Sequence, residues 1–580
     1  MTDKALVDEI RTEKTGAQKD RVWVWGWTLF TLVLASLPFI WGYLVAPPGT
    51  HFMGLAFNAL DSNSYLAKME LGARGEWRFS LVYTSEEHSG EYVYLFYILL
   101  GKVQGLIGLP NIVVYHLARF LFGLLLLLTG YRFICRYFGE RRQRRTAFLL
   151  LCFSAGLGWL VAPFGLTDST DLWVAESLTF FTLLANPHYP AATALLLLAI
   201  IWTQDGWEGK GWSAYGKAAG CGFILGFVHP FMIVPLSGIL GSFVLRRTFL
   251  QRAEPHPTGQ RAEPHPTGQR AEPHPTGQRA EPHPTIQFEW SIWLGTLLVG
   301  IMAVLGPLYT YIVMNGNPFM RAWLGQNQTL SPFPAAYLTG YGLLLVAALP
   351  GLWWVERRLP SADESYATAS RWQLLTTWLV VNALLLYLPV GLQRRFVEGL
   401  HLPIVCLATA GLYFAWKLRP RWIGRYVLAT TLSTFLILAT QVSNLYARPD
   451  PTTPHPLYLY SEEVEAMAWL RSNTSWRDTV IASPVLGNYI PTRSGNRVYY
   501  GHDLETVNRA DKAPLLGRFL RGEMVDIERQ AFIQKNGLRY LYYGPEEQGL
   551  GEGKFDPTTQ GWSLVYSNSK VKIFRLSQAQ

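Results

Sequence analysis

Polar side chains that could do chemistry collect in a few short segments of an otherwise apolar chain. Asp61 stands in FNALDSNSYLAKME, which follows the first long apolar run. A carboxylate at a membrane edge is costly and usually faces a cavity or a partner. In a partly dry cavity, burial raises the pKa of a carboxyl group towards the range that suits a general base. Asp61 could instead cap a helix predicted over 62–71, and the two roles can coexist.

Further acids, histidines and arginines gather at the same predicted membrane edge as Asp61. For Asp168 and Asp171, a helix N-cap or a solvated loop charge is the alternative, and for Glu86 and Glu87 a solvated charge. Three of the histidines neighbour a proline in a turn, where capping a freed carbonyl is the alternative. The candidates are Glu86, Glu87, Asp168, Asp171, Glu176, His88, His188, His229, His401, Arg321, Arg394 and Arg395.

The arginine pair is the least ordinary of these features. Arg394 and Arg395 lie in LPVGLQRRFVEGLHLP, a short loop on the predicted outer side, where Lys and Arg are disfavoured. Two arginines near lipid headgroups suit bidentate binding of phosphate. A salt bridge with Glu398, or contact with anionic lipid, is the alternative.

The elements that must position these residues are membrane-spanning helices. Only 16% of the 580 residues are charged and 49% are hydrophobic, against roughly 25% charged in an average soluble domain. Stretches of about 20 mostly apolar residues predict about eleven spans. The clearest are 22–45, 116–138, 290–314, 335–355, 372–389 and 426–446, and the shorter ones are 146–163, 189–203, 217–228, 231–245 and 402–416.

Basic residues predict the orientation, because Lys and Arg accumulate in short cytoplasmic loops. The basic clusters along the chain all fall on the cytoplasmic side only if segment 92–108 does not cross the membrane. We therefore predict an interfacial or re-entrant helix there. The N-terminal tail, 1–21, is then cytoplasmic, and everything after 448 is extracytoplasmic. The first span is too long for the core of a signal peptide. These features predict a multi-pass protein of the plasma (inner) membrane.

The predicted fold is a polytopic all-α membrane bundle followed by a small extracytoplasmic α/β domain. The membrane domain, 22–448, includes a first outer loop with the interfacial helix, 46–115, and a cytoplasmic linker, 250–287. The linker repeats RAEPHPTGQ, whose prolines and glycine exclude a helix or a packed core. The C-terminal domain, 449–580, mixes helical patterns with the strand-like runs DTVIASP, RVYYG, LRYLYYG, WSLVYSN and VKIFRL.

Composition argues against several other classes. The net charge of +9 arises largely from cytoplasmic loops, and no basic patch interleaves with aromatics, so we predict no nucleic-acid partner. The four cysteines lie in or beside apolar runs, which leaves no disulfide framework. The equally spaced repeat histidines have nothing to fix a metal geometry. GLGEGK lacks the GK[ST] ending and the strand-to-helix context of a phosphate loop.

The whole arrangement resembles the GT-C superfamily of membrane glycosyltransferases, in particular bacterial mannosyltransferases and aminoarabinose transferases. The resemblance rests on the first span, a long acidic outer loop, the segment YVYLFYILLGKVQGLIGLPN and an arginine-bearing second span with a basic turn. The loop LDSNSYLAKMELGARGEWRF is similar to the D-x-x-x-Y and G-x-W pattern of bacterial members. The matching positions are Asp61, Tyr65, Gly75 and Trp77.

The resemblance implies an inverting transfer of a hexosyl or pentosyl group from a polyprenyl-phosphate sugar to a glycan, lipid or protein acceptor. Asp61 would deprotonate or orient the acceptor, and Arg394, Arg395 and Arg321 would stabilise the departing phosphate. Candidates for a second acid would be Asp168 and Asp171, with Glu176, Glu86 and Glu87. The chain has Asp61-Ser62-Asn63 where relatives often carry D-x-D or E-x-D, so a divalent cation stays open and no other cofactor is predicted.

Two other classes remain as alternatives. A polytopic transporter would carry charges inside its spans and show broken, symmetrical halves, whereas these charges cluster at one face. A non-catalytic scaffold subunit would retain the fold and use the C-terminal domain to bind partners.

Overall fold

The computed structural model describes residues 3–251, 289–357, 366–446 and 457–577. The nonapeptide repeat and its histidines lie outside these ranges. The N-terminal three quarters of the described chain is almost entirely helical, as apolar runs of this length predict. Its helices are α1 (Asp3–Leu44), α2 (Ala59–Ala73), α3 (Leu95–Ile107), α4 (Asn111–Ile134), α5 (Arg141–Phe153), α6 (Gly158–Val161), α7 (Thr170–Trp173), α8 (Thr179–Leu184), α9 (His188–Trp207), α10 (Trp212–Val228), α11 (Ile233–Gln251), α12 (Trp290–Gly316), α13 (Pro318–Gln326), α14 (Pro334–Arg357), α15 (Tyr366–Leu385), α16 (His401–Ala410), α17 (Pro420–Ala429) and α18 (Leu432–Asn444).

Seven helical stretches in the described ranges are long and apolar enough to cross a membrane. The count is eight if the bent pair α5 and α6 forms one span. The count of about eleven spans therefore stays a prediction. The stretches are Asp20–Leu44, Asn111–Ile134, Pro230–Phe249, Trp290–Gly316, Pro334–Arg357, Gln393–Ala415 and Pro420–Asn444.

Segment 92–108, predicted not to cross, forms the short apolar helix α3. It packs tightly against α2 through glycines on both helices. A Cβ atom on Gly101 would lie 1.9 Å from the Met69 carbonyl oxygen, and one on Gly72 would lie 2.2 Å from the Ile98 carbonyl oxygen. Only glycine permits this approach, which packs the C-terminal turns of α2 against the first half of α3.

The C-terminal domain (457–577) combines helices with a five-stranded sheet, as its sequence pattern predicts. The sheet order is β4-β3-β5-β7-β6, with β3 parallel to β4 and β5, and β7 antiparallel to β5 and β6. A separate two-stranded antiparallel sheet joins β1 and β2, so the domain is tied to the segment between α1 and α2. The strands are β1 (Thr50–Phe52), β2 (Tyr458–Tyr460), β3 (Thr479–Ile481), β4 (Arg497–Val498), β5 (Leu538–Tyr543), β6 (Ser563–Ser567) and β7 (Lys572–Arg575), and the helices are α19 (Ser461–Asn473), α20 (Pro484–Arg493), α21 (Arg509–Leu520), α22 (Asp526–Lys535) and α23 (Pro545–Leu550).

Candidate active site

A cavity of about 180 Å³ lies where α2, the start of α3, the end of α10 and the C-terminal domain meet. It is lined by the strongest candidates for site residues from the sequence and by several residues that the sequence did not indicate. Asp61 and Arg395 both line it, although 334 positions separate them along the chain. The polar lining includes Asp61, Ser64, Tyr65, His188, His229, Arg395, His502 and Glu505.

Asp61 lies in the first turn of α2, whose N-cap residue is Asn58, so Asp61 does not cap the helix. The Asn58 side-chain amide donates a hydrogen bond of 3.1 Å to Asp61 Oδ2. On the other side, His502 Nε2 lies 3.5 Å from Asp61 Oδ1. About a third of the Asp61 side chain is exposed, which leaves the carboxylate open to the cavity (33%).

The direction of the Asp61 pKa corrects the expectation from the sequence. Burial alone raises the pKa of this carboxyl group, as predicted. The nearby His502, the charge of Arg395 and the hydrogen bond from Asn58 outweigh burial and hold the pKa below its ordinary value. Asp61 is therefore an ionised carboxylate at neutral pH and is ready to accept a proton or a hydrogen bond.

Arg395 supplies positive charge to the cavity from a 3-10 turn, Gln393–Val397. Its Nη1 pairs with the buried Glu176 carboxylate and donates a hydrogen bond of 2.8 Å to the Tyr189 hydroxyl. Burial raises the pKa of Glu176, but the charges of Arg395 and Arg394 lower it further than burial raises it. Glu176 is thus the counter-charge that fixes Arg395 in the cavity wall, and it is not a free second acid.

The aromatic side of the cavity contains two of the predicted histidines and Tyr65. The Tyr65 ring stacks on the Tyr97 ring at a centroid distance of 4.3 Å, and the Tyr97 hydroxyl lies 2.6 Å from His188 Nδ1. His229 Nδ1 lies 2.7 Å from Glu398 Oε2. Glu398 therefore pairs with His229 and not with the arginine pair, which rules out the salt bridge that was the alternative for those arginines.

Several predicted residues lie outside the cavity lining and have structural partners. Asp171 Oδ2 accepts hydrogen bonds from Gly156 N (3.0 Å) and Gly158 N (2.9 Å), and burial raises its pKa. Asp168 is exposed, as the solvated alternative predicts. Neither carboxyl group lines the cavity, so a second functional acid at these positions stays a prediction.

The two other arginines of the predicted phosphate site, Arg394 and Arg321, do not line the cavity. The Arg394 guanidinium stacks over the Trp173 ring at 4.9 Å, and its backbone N–H bonds to the Thr329 carbonyl. Arg321 is exposed and donates a hydrogen bond of 3.1 Å to the Asn315 carbonyl oxygen. Of the three arginines, only Arg395 lines the cavity.

The cluster Glu86-Glu87-His88 contacts neighbouring structure instead of the cavity. Glu86 forms an ion pair of 2.6 Å with Lys512 of the C-terminal domain, and Glu87 is exposed. His88 Nε2 accepts a hydrogen bond from Leu81 N (2.9 Å). The remaining histidine, His401, is buried between Ser154 Oγ (3.0 Å) and Thr179 Oγ1 (2.9 Å) and joins α16 to α5 and α8.

The site residues that the sequence did not indicate come from the C-terminal domain. His502 and Glu505 belong to the loop that follows β4, and Glu505 forms a buried ion pair of 2.5 Å with Lys68 of α2. One signal was present: GHDLE follows a short strand, and the carboxyl ends of parallel strands are where ligand sites form. Nothing in the sequence placed this edge beside Asp61.

A divalent cation at Asp61 stays a prediction. The immediate polar neighbours of the carboxylate turn N–H groups towards it: the Asn58 amide, and Nε2 of His502. Within the described ranges, no three His, Cys, Asp or Glu side chains come together in a way that could hold a metal ion. The nearby Glu505 carboxylate is engaged by Lys68 and Ser64.

Comparison with known proteins supports the fold through structure alone. No protein-family model matches the chain, and no curated protein matches it significantly. The crystal structure of ArnT from Cupriavidus metallidurans bound to undecaprenyl phosphate matches over 95% of this chain and 98% of that chain, with a TM-score of 0.52 and 12% identity.

Two further structures match with lower TM-scores. They are the oligosaccharyltransferase AglB from Archaeoglobus fulgidus with an inhibitory peptide and a dolichol-phosphate (TM-score 0.47, 14% identity, 96% of this chain and 74% of that chain) and the arabinofuranosyltransferase AftD from Mycobacteria (TM-score 0.48, 14% identity, 96% of this chain and 40% of that chain). The structures matched here are GT-C glycosyltransferases. The match with ArnT confirms the predicted GT-C fold.

Proposed function

We propose that this protein is an integral-membrane glycosyltransferase that moves a sugar from a polyprenyl-phosphate donor to an acceptor. The observation that carries the proposal is that a carboxylate, Asp61, and a guanidinium, Arg395, open into one cavity at the junction of the membrane and C-terminal domains. A sugar phosphate needs both: a proton acceptor on the side of the incoming nucleophile and positive charge on the side of the leaving phosphate.

The cavity has an apolar side that suits the first units of a prenyl chain. It is lined there by side chains from the start of α3, the end of α10 and α12–α13, close to exposed apolar residues of α3. A mostly apolar pocket with a few convergent polar groups is the usual form of a small-molecule site. These lining residues are Phe96, Phe227, Phe231, Met314 and Leu324.

In the proposed inverting reaction, the acceptor oxygen gives its proton to Asp61 as it forms a bond to the anomeric carbon. The bond between that carbon and the phosphate oxygen breaks, and the electron pair leaves with the polyprenyl phosphate. Arg395, fixed by Glu176 and Tyr189, stabilises the negative charge that develops on this phosphate. Because the Asp61 pKa is lowered, the carboxylate is in its proton-accepting form throughout the neutral range.

The bound undecaprenyl phosphate of the ArnT structure supports a lipid phosphate as the donor carrier. The transferred sugar is proposed to be a hexosyl or pentosyl group. The acceptor is proposed to be a glycan, a lipid or a protein. The reaction is proposed for the extracytoplasmic face of the plasma membrane, with a cytoplasmic N-terminus.

A donor assay tests the proposal. The purified protein is incubated with a panel of polyprenyl-phosphate-linked hexoses and pentoses, and release of free polyprenyl phosphate is measured. Turnover of at least one donor is expected, together with inhibition by added polyprenyl phosphate. Absence of release from every donor by folded protein would contradict the proposal and favour the scaffold or transport classes.

The proposed sidedness has its own test. Asp503 is exposed on the C-terminal domain beside the cavity (side chain 53% exposed). A cysteine introduced there, D503C, is expected to react with a membrane-impermeant thiol reagent added outside intact cells. Labelling only after the cytoplasmic side is opened would overturn the extracytoplasmic placement.

A further inference from the structure

The loop 501–507 of the C-terminal domain is anchored from two sides and forms part of the cavity wall. Thr506 Oγ1 donates to the Tyr83 carbonyl oxygen (3.0 Å), and Trp323 Nε1 of α13 donates to the Leu504 carbonyl oxygen (2.7 Å). Glu505 is clamped by Lys68 Nζ and Ser64 Oγ, both at 2.5 Å. An anchored loop can hold a side chain in one orientation relative to α2, which carries Asp61.

The loop fixes both the position and the tautomer of His502. Its Nδ1 accepts hydrogen bonds from Leu504 N (3.1 Å) and Glu505 N (3.2 Å), so the ring proton is on Nε2. The residue is buried (3% exposed), and its Nε2 is directed into the cavity, 3.5 Å from Asp61 Oδ1. No hydrogen bond of good geometry satisfies Nε2 among the described residues, although a buried N–H normally has an acceptor.

We propose that His502 is a positioning residue that holds the Asp61 carboxylate through its Nε2–H, so that the C-terminal domain completes the active site. This inference rests on the proposed function, because it assigns a role relative to the proposed base. The Nε2–H approaches one carboxylate oxygen while Asn58 holds the other. The two donors together select one rotamer of Asp61 and leave its exposed edge for the acceptor.

Other charged and titratable groups also face Asp61, and they remain in place when His502 is replaced. Arg395 lies across the cavity, and Lys68 lies on α2 itself. The tyrosines that interact electrostatically with Asp61 are Tyr65, Tyr94, Tyr115 and Tyr189. His502 and Asn58 alone donate towards the carboxylate from its immediate neighbourhood in the described structure, and only His502 belongs to the C-terminal domain.

Two substitutions separate the positioning role from a structural role in the loop. H502N keeps an acceptor near the Nδ1 position for the Leu504 and Glu505 amides but removes the donor towards Asp61. H502Q keeps an amide N–H near the Nε2 position but removes the acceptor for the loop. D503N is the matched control, because Asp503 is exposed and does not line the cavity.

The experiment measures kcat and the donor KM of the full-length protein between pH 5 and pH 7.5, with D61N as the reference. For H502N we expect kcat to fall about tenfold or more while KM changes less than about threefold, because the N–H directed at the Asp61 carboxylate is lost. The pKa of Asp61 rises when this donor is removed, so the acidic limb of the pH–activity profile of H502N is expected to shift to higher pH than that of the wild type. H502Q is expected to retain most of kcat, and D503N all of it.

Equal losses in H502N and H502Q with a wild-type pH profile would overturn the inference, as would wild-type kcat in H502N. If H502N does not fold, H502Q is the deciding variant. Retained kcat in H502Q supports the positioning role of His502, and a lost kcat with a wild-type pH profile overturns it. Failure of the proposed function is distinguishable, because the folded wild type would then release polyprenyl phosphate from none of the donors, whereas failure of the base assignment alone would leave D61N with the turnover of the wild type.

Discussion

Two single residues, Asp61 and Arg395, bring opposite charges into one cavity. The sequence predicted both from polarity at a membrane edge but could not separate Arg395 from Arg394, because the 3-10 turn decides which of two neighbouring side chains enters the cavity. It also gave the wrong direction for the Asp61 pKa. His502 and Arg395, which contribute most to lowering this pKa, lie more than 300 positions away in the chain, and only the folded structure brings them close.

Replacing Glu176 tests the ion pair that fixes Arg395. E176Q leaves the half-buried Arg395 guanidinium without its counter-charge, and we expect the free energy of unfolding to fall by about 3 kcal/mol. Denaturation of the protein in detergent, followed by tryptophan fluorescence, measures this change. D168N is the control, since Asp168 is an exposed acid of the same loop, and its effect is expected to stay within about 0.5 kcal/mol. Wild-type stability in E176Q would show that Arg395 does not depend on Glu176.

At the scale of elements, apolar runs and basic clusters predicted most of the helices, including a short helix within 92–108; that this helix does not cross the membrane stays a prediction. The tight contact between α2 and α3 was not predictable, because Gly72 and Gly101 are unremarkable in an apolar sequence. Their role depends on the carbonyl groups that face them, Ile98 O and Met69 O. The five strands of the C-terminal sheet lie at the segments with strand-like patterns, although their order in the sheet was not predicted.

The substitution G101A adds a single methyl group and tests the contact between α2 and α3. In G101A the new Cβ atom would lie 1.9 Å from the Met69 carbonyl oxygen, so α2 and α3 must separate. We expect the free energy of unfolding to fall by about 1–3 kcal/mol and donor turnover to fall with it, because Asp61 moves with α2.

The control for this contact is G220A, since nothing lies within 4 Å of a Cβ atom at that position in α10. There the change is expected to be neutral or stabilising by up to about 1 kcal/mol. Unfolding and turnover are measured on the same preparations. Equal behaviour of G101A and G220A would contradict the proposed role of the α2–α3 contact in positioning Asp61.

At the scale of the whole molecule, the C-terminal domain is part of the site and not an appendage. It reaches the membrane domain through the β1–β2 sheet and the buried Lys68–Glu505 pair, whose partners are 437 positions apart. The sequence predicted an α/β domain but offered no reason to place it against α2. Pairings over such distances leave no local pattern, which is why His502 and Glu505 were not identified.

The stability of the C-terminal domain is expected to depend on pH through Glu463. Burial raises the pKa of Glu463 to about 7, against the opposing hydrogen bond from Tyr460 N and with support from the charge of Glu547. A raised pKa stabilises the folded state below the ordinary value of 4.5, and this stabilisation is lost as the pH rises through 7. The loss contributed by Glu463 between pH 4.5 and pH 8 is roughly 3 kcal/mol.

Thermal unfolding of the full chain at several pH values measures this dependence. E463Q keeps an oxygen acceptor for Tyr460 N but carries no charge at any pH, so its unfolding midpoint is expected to vary less between pH 5 and pH 8 than that of the wild type. E465Q, which changes a neighbouring acid on the same helix, is the control and is expected to keep the wild-type slope. An identical slope in E463Q would show that Glu463 is not the group responsible.

The most direct test of the central claim is the turnover of D61N beside that of D168N in the polyprenyl-phosphate release assay. Both substitutions remove one carboxylate from segments between the long apolar helices of the membrane domain, but of the two only Asp61 opens into the cavity with Arg395. We predict that D61N loses at least about 100-fold in kcat, the usual contribution of a general base, while D168N stays within about twofold of the wild type. Turnover of correctly folded D61N equal to that of the wild type would contradict the account.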